Sequence, residues 1–250
     1  MKKSAKQIVF GIHPVAEAVN SGKELNKVLI RKGLKGETFT HLFQKIRDEG
    51  IPYQFVPAEK LNRMTRGNHQ GVIALLSLIE YKNLEEIIQR TFEEGRDPLI
   101  LILDRITDVR NFGAIARTAE CAGVDAIIVP ERESVAITPD AIKTSAGALN
   151  RIAVSRKRDL KQVISYLKAS GIRIIAASEK AEAYYSSSDI TGPVALLMGA
   201  EDTGISPELL KMSDTQVKIP LAGSIESLNV SVAFGILVFE VVRQRGLAAV

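Results

Sequence analysis

The stretch PLILILDRITDVRNFGAIARTAECAG, residues 98–123, decides the fold class of this chain. Its first part is an uninterrupted apolar run that ends at Asp104, which is typical of a strand buried on both faces of a parallel sheet. A polar turn follows, and beyond Gly113 the apolar residues recur at helical spacing. A buried strand that leads into a helix is the repeating unit of α/β domains, so the sequence predicts an α/β domain here.

The same alternation continues downstream. Further apolar strand candidates lie at residues 125–130, 172–178 and 193–199, and helical spacing occurs at 159–169 and from about Leu228 onward. This order predicts a parallel sheet with helices on both faces. Because ligands of such sheets bind where the carboxyl ends of strands lead into loops, the polar loops after these strands are the places to look for a site.

The first third of the chain has a smaller α/β pattern of its own. Strand candidates lie at 27–32, 53–58 and 71–77, with helical spacing at 39–49 and 58–66. Residues 81–97 are charged and lack a strand signal, which favours a short helix and linker. We therefore predict a domain over residues 1–78, a linker over 79–97 and a second domain over 98–250.

Charge is concentrated in the first domain. Residues 1–75 hold nine Lys and four Arg against six Asp or Glu, a net charge of +7, whereas the whole chain carries +4. This favours an anionic partner, most commonly nucleic acid, although a basic surface that serves only solubility would give the same count. The candidates for nucleic-acid contact are Lys2, Lys3, Arg31, Lys32, Lys35, Arg63 and Arg66.

The sequence also predicts a cytoplasmic protein. Cys121 is the only cysteine, so no internal disulfide can form, which is typical of a reducing compartment. The start of the chain is basic, but His13 and Pro14 interrupt the apolar stretch that a signal peptide needs. The longest apolar run, within residues 228–242, contains polar residues and is too short to span a bilayer, so no membrane association is expected.

No common motif for nucleotides, metals or acyl transfer explains the polar loops. The chain has neither G-x-G-x-x-G after a strand nor G-x-x-x-x-G-K-[ST]. His13, His41 and His69 lie in the first third without a second ligand at metal-binding spacing, so we predict no metal site. A serine hydrolase built on Ser227 would need a histidine base, and the second domain contains no histidine.

Two loops that follow strands carry candidate site residues. In RNFGAIARTAE, 110–120, Asn111 is expected to cap the helix, Gly113 permits close approach, and Arg117 lies on the helix. In LLMGAEDTGIS, 196–206, two glycines frame Glu201 and turn the backbone sharply, and Ser206 is expected to cap the next helix. A capped helix alone would explain either loop.

A third stretch, SIESLNVSVAFG at 224–235, opens the last helix with polar residues. Ser227 and Asn229 suit a helix start, where free backbone N–H groups need partners. Taken alone, this stretch also needs no function beyond a cap.

Together, the stretches NFGAIARTA, LLMGAEDTGIS and IPLAGSIESLNVSVAFG resemble, in order and spacing, the three motifs of the SpoU family of RNA ribose 2′-O-methyltransferases, also called the TrmH family. The segments VFGIHPVAEAV (9–19) and NHQGVIALL (68–76) are similar to the small substrate-binding domain of that family, and KTSAGAL (143–149) to one of its loops. The resemblance covers nearly the whole chain. It implies a small RNA-binding domain before an α/β methyltransferase domain, whose C-terminal segment threads a loop to form a deep trefoil knot.

The resemblance also implies a reaction, in which a ribose 2′-hydroxyl attacks the methyl group of S-adenosylmethionine. The matching catalytic positions are Asn111, Arg117, Glu201, Ser227 and Asn229. The matching cofactor positions are Met198, Gly199, Ala200, Ile219, Leu221 and Leu228. Because a guanidinium is normally always protonated, positioning the 2′-oxygen and stabilising its negative charge is an easier task for Arg117 than removing a proton.

The substrate is less sharply indicated. The chain most resembles family members that act on a guanosine of 23S ribosomal RNA, with transfer RNA as the closest alternative. Two other classes stay open: a non-catalytic RNA-binding or ribosome-assembly protein with the same fold, and a small-molecule enzyme on a related sheet. The resemblance implies a homodimer packed through the final helix, 229–243, although an internal core helix would show the same apolar pattern.

Overall fold

The computed structural model of the protein describes residues 8–246, which form two compact units. The first unit runs to Glu80 and includes Ala136–Pro139, and the second comprises Tyr81–Val135 and the chain from Asp140 onward. Two of the candidates for nucleic-acid contact, Lys2 and Lys3, lie outside the described residues.

The first unit is a small α/β sandwich. Its elements are β1 (Ile8–Phe10), α1 (Ile12–Asn20), β2 (Leu25–Arg31), α2 (Glu37–Asp48), β3 (Tyr53–Val56), α3 (Ala58–Asn62) and β4 (Val72–Leu76). The strand order is β1-β4-β2-β3, in which β4 is antiparallel to both neighbours and β2 is parallel to β3. The helices α1 and α2 cover one face of the sheet through Val15, Leu42 and Ile46, and Leu61 of α3 packs on the other face.

Two elements of this unit were not expected from the sequence. Strand β1 has only three residues, too few for an alternation to be recognised. Helix α1 contains Pro14, yet proline is tolerated there because the first turn of a helix does not use that backbone N–H. The three strands expected in this region are confirmed, and the second expected helix is shorter than predicted, ending at Asn62.

The second unit is built on a seven-stranded parallel sheet. Its elements are α4 (Leu84–Glu93), β5 (Leu99–Asp104), α5 (Val109–Cys121), β6 (Ala126–Pro130), α6 (Pro139–Thr144), β7 (Ala153–Lys157), α7 (Leu160–Ala169), β8 (Arg173–Ala177), β9 (Ala183–Tyr184), β10 (Val194–Gly199), α8 (Pro207–Met212), β11 (Thr215–Lys218) and α9 (Val230–Gln244). The strand order is β7-β6-β5-β10-β8-β11-β9, and every neighbouring pair is parallel. The predicted fold class, α/β with a parallel sheet, is confirmed.

The central strands are buried on both faces, as the apolar runs predicted. All six residues of β5 are buried. On one face, Ile100 and Ile102 join a core that includes Ile164 and Leu167 of α7 and side chains from α4 and α8. On the other face α5 packs against α9. The strands β7, β9 and β11 were not expected, because they are short and polar and lie toward the margins of the sheet.

The final helix, α9, begins at Val230 with Asn229 as its N-cap residue. Phe234, Leu237, Val238 and Val241 are buried, whereas Val232 and Phe239 are about half exposed. Among the helices of the described residues, none is both long enough and apolar enough to cross a bilayer.

Candidate active site

Polar side chains gather at the carboxyl edge of the large sheet, where its strand order changes direction. From β5 the chain moves outward through β6 and β7, and it then crosses to β8 on the other side, with β10 lying between β5 and β8. The carboxyl ends of β5 and β10 are paired, with Asp104 opposite Gly199. Such a switch point leaves a crevice outside the strand ends, which is the usual ligand site of open α/β sheets.

Three residues from the three motif stretches form one hydrogen-bonded network at this edge. Asn111 Nδ2 donates to Glu201 Oε2 at 2.8 Å, and Asn229 Nδ2 donates to Asn111 Oδ1 at 2.9 Å. Asn229 Nδ2 also donates to Glu201 Oε1. The partners lie up to 118 residues apart in the chain. The tertiary fold therefore joins three residues that the sequence predicted separately.

Asn111 enters this network because another residue caps its helix. The expectation that Asn111 caps α5 was wrong: the N-cap residue is Asp108, whose Oδ1 accepts the backbone N–H groups of Arg110 at 2.9 Å and Asn111 at 2.8 Å. A carboxylate at this position also interacts favourably with the helix dipole. The side-chain amide of Asn111, one turn inside the helix, is free to meet Glu201.

Asn229 both caps a helix and takes part in the network. Its Oδ1 accepts the backbone N–H of Ser231 at 2.9 Å and the Ser231 hydroxyl at 2.5 Å, which caps α9. Because the oxygen faces the helix, the amide nitrogen must face Glu201 and Asn111. The polar start of the last helix is therefore a cap and a part of the site at once.

Arg117 and Ser227 lie outside the network. Arg117 is exposed on α5, six residues beyond Asn111, which places it about 9 Å further along the helix axis. Within the described residues, 8–246, the side chain of Arg117 makes no hydrogen bond or ion pair, so its guanidinium is available to a ligand. Ser227 is exposed and borders the cavity described next.

A cavity of about 330 Å³ lies beside the network. All six predicted cofactor residues line it, together with Glu201 and Ser227: Met198, Gly199, Ala200, Ile219, Leu221 and Leu228. Its volume is in the range of small-molecule sites. The wall contains apolar side chains together with the polar residues Ser178, Glu179 and Lys180. This mixture suits a ligand that has both an apolar ring and charged groups.

The part of this wall that follows β8 was not predicted. Ala177, Ser178, Glu179 and Lys180 continue directly from the strand. The only available signal was that residues 172–178 form a strand whose carboxyl end must reach the same edge as β10. Sequence alone does not say that β8 is the neighbour of β10, so this signal could not be used.

Gly199 is required by backbone packing within the loop that follows β10. A Cβ at Gly199 would lie 2.2 Å from the carbonyl carbon of Gly204 and 2.2 Å from the nitrogen of Ile205, which is a clash with the main chain itself. The loop closes on itself through the N–H of Gly204, which donates to the carbonyl of Ala200 at 2.8 Å. This tight turn places Glu201 at the mouth of the cavity.

Asp104 and Arg105 hold that turn in place, a role that the sequence did not indicate. Asp104 is 5% exposed, and its Oδ2 accepts the backbone N–H of Ser206 at 2.7 Å. Arg105 Nη2 donates to the carbonyl of Gly204 at 3.1 Å, and its guanidinium also contacts Asp104. The expected side-chain cap by Ser206 is absent, and Ser206 instead bonds to Asp104 through its backbone.

Gly113 allows a close contact between α5 and the stretch KTSAGAL. A Cβ at Gly113 would lie 2.6 Å from Cβ of Thr144 and 3.1 Å from the nitrogen of Ser145. Ser145 is fully buried, and its hydroxyl donates to the carbonyl of Ile142 at 2.9 Å. Gly113 therefore allows α5 to pack closely against the stretch KTSAGAL.

The basic candidates of the first unit that the structure describes are all exposed: Arg31, Lys32, Lys35, Arg63 and Arg66. Arg31 ends β2, and its register partner on the parallel strand β3 is Val56. In the described part of the chain, no group of three or more His, Cys, Asp or Glu side chains is arranged to hold a metal ion.

The sequence of the chain matches two known protein families. The SpoU rRNA methylase family matches residues 98–239, and the domain described as RNA 2′-O ribose methyltransferase substrate binding matches residues 8–82. The chain is 35% identical to a protein of Staphylococcus epidermidis named as a TrmH family tRNA/rRNA methyltransferase, over 95% of this chain and 96% of that one. Its identity to the TrmH family protein YacO of Bacillus subtilis is 34%, over 95% of each.

Solved structures also resemble the fold. The SpoU methyltransferase AviRb of Streptomyces viridochromogenes, bound to its cofactor AdoMet, aligns with a TM-score of 0.62 at 24% identity, covering 99% of this chain and 92% of that one. An AdoMet-bound rRNA methyltransferase of Sinorhizobium meliloti aligns with a TM-score of 0.58 at 25% identity, covering 94% and 86%. The TrmH/SpoU tRNA modifying enzyme of A. aeolicus aligns with a TM-score of 0.56 at 30% identity, covering 66% and 85%.

Proposed function

The chain belongs to the SpoU, or TrmH, family of RNA ribose methyltransferases, and from this premise we propose that it methylates the ribose 2′-hydroxyl of a guanosine in 23S ribosomal RNA. The observation that carries the proposal is the position of Glu201. This residue lines the cavity and is at the same time held by Asn111 and Asn229. A cofactor site and an ordered polar site therefore share one wall.

The cofactor is S-adenosylmethionine, which is bound in the Sinorhizobium meliloti relative. Its sulfonium supplies an electrophilic methyl group, so the protein must mainly bind, orient and exclude water. Met198, Gly199 and Ala200 at the end of β10, with Ile219, Leu221 and Leu228 across the cavity, are the residues that would hold it. The apolar wall suits the adenine ring, and the polar groups after β8 suit the charged amino-acid part.

The network prepares the edge of the cavity for a ribose. Glu201 receives amide hydrogens from both asparagines, so its carboxylate is fixed before any substrate arrives. Ser227, on the cavity wall, adds a hydroxyl that can donate or accept. Preorganised polar groups of this kind orient a hydroxyl without paying for reorganisation during the reaction.

Arg117 is proposed as the residue that positions the 2′-oxygen and stabilises the negative charge that develops on it. Its guanidinium has no competing partner within residues 8–246, and its permanent charge suits this role. Ser227 and Asn229 lie on the same chain segment that enters α9, the helix against which α5 packs. The trefoil knot stays a prediction from the family.

Ribosomal RNA is favoured over transfer RNA as the substrate, because the rRNA methyltransferase structure aligns with a larger share of this chain than the tRNA enzyme structures do. The rRNA methyltransferase of Sinorhizobium meliloti aligns with 94% of this chain. The A. aeolicus tRNA modifying enzyme aligns with 66%, and a structure concerned with methylation of C/U34 on tRNA aligns with 59%. The alignment with the rRNA enzyme therefore extends over both units of this chain.

The test is transfer of labelled methyl groups from S-adenosylmethionine to unmodified 23S, 16S and transfer RNA, each assayed separately. We expect label on 23S RNA, and we expect Arg117→Ala to abolish it while cofactor binding and unfolding temperature stay unchanged. Arg151→Ala is the matched control, because Arg151 is also an exposed arginine but precedes β7 at the opposite edge of the sheet.

Other results of this assay would support a different substrate or a different function. Label on transfer RNA alone would replace 23S RNA by the alternative substrate. Cofactor binding without label on any RNA, naked or in ribosomal particles, would favour the non-catalytic reading, and cofactor binding without RNA binding would favour a small-molecule enzyme. Full activity of Arg117→Ala would overturn the role given to that residue.

A further inference from the structure

One half of the carboxyl edge of the large sheet carries a row of unpaired arginines. Exposed arginines lie beyond the ends of β5, β6 and β7: Arg132 and Arg158 come within two residues of the ends of β6 and β7, and Arg110 is the second residue of α5, which follows β5. In the part of the chain that the structure describes, the side chains of these three residues make no hydrogen bond or ion pair. The other half of the edge, beyond β8 and β11, carries the cavity instead.

The strand ends that lead to Arg132 and Arg158 are neighbours in the sheet. The strands lie in the order β10-β5-β6-β7, and neighbouring strands in a sheet are about 4.8 Å apart. The ends of β5 and β7 are therefore about 10 Å apart. The ends of β6 and β7 are also tied together, because the N–H of Glu131 donates to the carbonyl of Lys157 at 3.0 Å.

The acidic groups near the row are mostly engaged. Asp108 and Asp159 cap α5 and α7, accepting backbone N–H groups at the helix N-termini. Burial raises the pKa of Glu131. The positive charges of Arg156, Arg158 and Arg132 act in the opposite direction, but burial outweighs them. Glu133, the residue after Arg132, is exposed. Three guanidinium groups therefore lie near one half-buried carboxyl group.

A cation–π pair lies beside the row at β7. The guanidinium of Arg156 lies 4.4 Å from the centre of the Tyr81 ring. This distance is typical of a cation–π pair, and Arg158, two residues further along, is exposed.

We propose that Arg110, Arg132 and Arg158 form a track for the phosphate backbone of the RNA substrate on the methyltransferase unit itself. This rests on the proposed function, since it assumes an RNA acceptor. Arginine suits phosphate because its planar fork can donate two parallel hydrogen bonds. Arg110 directly precedes Asn111, which belongs to the network at the cavity, so the proposed track ends one residue before that network.

The test uses the double variant Arg132→Gln/Arg158→Gln in the full chain. Arg110 is left unchanged because it adjoins Asn111. The probes are an unmodified 23S RNA transcript, titrated between about 50 and 200 mM salt, and S-adenosylmethionine alone. Two phosphate contacts contribute about tenfold to affinity at ~0.15 M salt and about 1.4 to the slope of log K against log salt. We expect losses of that size, a raised KM for RNA, an unchanged kcat and unchanged cofactor binding.

The matched control is Arg90→Gln/Arg151→Gln, which removes the same charge from the opposite edge. Arg90 and Arg151 border a separate cavity near the amino ends of β6 and β7. Equal weakening by both double variants would show an effect of net charge alone and overturn the track, as would unchanged binding by the first. Failure of the proposed substrate would differ, because the unmodified enzyme would then transfer no methyl group to 23S RNA, whatever the variants do to binding.

Discussion

At the scale of single residues, Asn229 shows how one side chain can serve stability and function together. Its oxygen caps α9 and its nitrogen holds Glu201 and Asn111. An amide is the side chain that can do both, because it presents an acceptor and a donor on opposite sides. The two roles can be separated by substitutions that keep one of them.

We predict that Asn229→Ser and Asn229→Ala differ in stability but not in activity. Serine is a good N-cap and alanine is not, so Asn229→Ala should lower the free energy of unfolding by about 1 kcal/mol more than Asn229→Ser. Neither side chain can hold Glu201 in the same way, so both variants should lose most methyl transfer. Urea unfolding and the methyl-transfer assay measure the two effects. Wild-type activity in Asn229→Ser would show that this residue serves only as a cap.

At the scale of elements, the hydrogen bonds of Asp214 connect three parts of the sheet layer. Its Oδ2 accepts the backbone N–H of Ile174 at the start of β8 at 2.8 Å, and its Oδ1 lies 2.7 Å from Nζ of Lys168 on α7. Asp214 itself directly precedes β11. Burial alone would raise the pKa of Asp214, but the bonds from Ile174 and Lys168 outweigh it, and the pKa is lowered.

A lowered pKa in the folded state gives a defined pH dependence. The unfolded chain binds the proton first as pH falls, so the stabilisation by Asp214 is fully present above the unfolded pKa of about 4 and is lost below it. We predict that Asp214→Asn is less stable than the wild type at neutral pH, and that the difference shrinks as pH falls below about 4. Unfolding free energies at several pH values test this. A difference that does not change with pH would show that the charge of Asp214 does not contribute.

At the scale of the whole molecule, α9 has an apolar side without a partner in the described chain. Val232 is 51% exposed and Phe239 is 49% exposed, and they lie seven residues apart, on one side of the helix. The family resemblance implies a homodimer through this helix. An exposed apolar stripe next to the active site supports that proposal.

We predict that Val232→Ser/Phe239→Ser is monomeric and has lost methyl transfer, while the wild type is a dimer. Sedimentation equilibrium gives the mass, and circular dichroism checks that the variant is folded. Phe92→Ser is the control, because Phe92 is also partly exposed, at 39%, but lies on α4. A monomeric wild-type enzyme with full activity would contradict the prediction.

The sequence by itself determined the features that depend on neighbouring residues. The apolar run at 99–104 predicts a strand buried on both faces whatever its neighbours are, and the polar start of the last helix predicts a cap at Asn229. The motif stretches identified Asn111, Glu201 and Asn229 as a set, because a family's motifs can be compared without knowing how the chain folds.

Only the tertiary structure decided which of these groups meet. Glu201 forms hydrogen bonds with residues 90 positions before it and 28 after it. Whether segments so far apart in the chain meet is decided by the order of strands in the sheet. The order β5-β10-β8 brings the residues after β8 into the cavity wall, and it gives Gly199 and Asp104 their role in closing the loop at Ser206. Hydrogen bonds between distant segments depend on which strands become neighbours, and the local pattern of a strand carries no information about that choice.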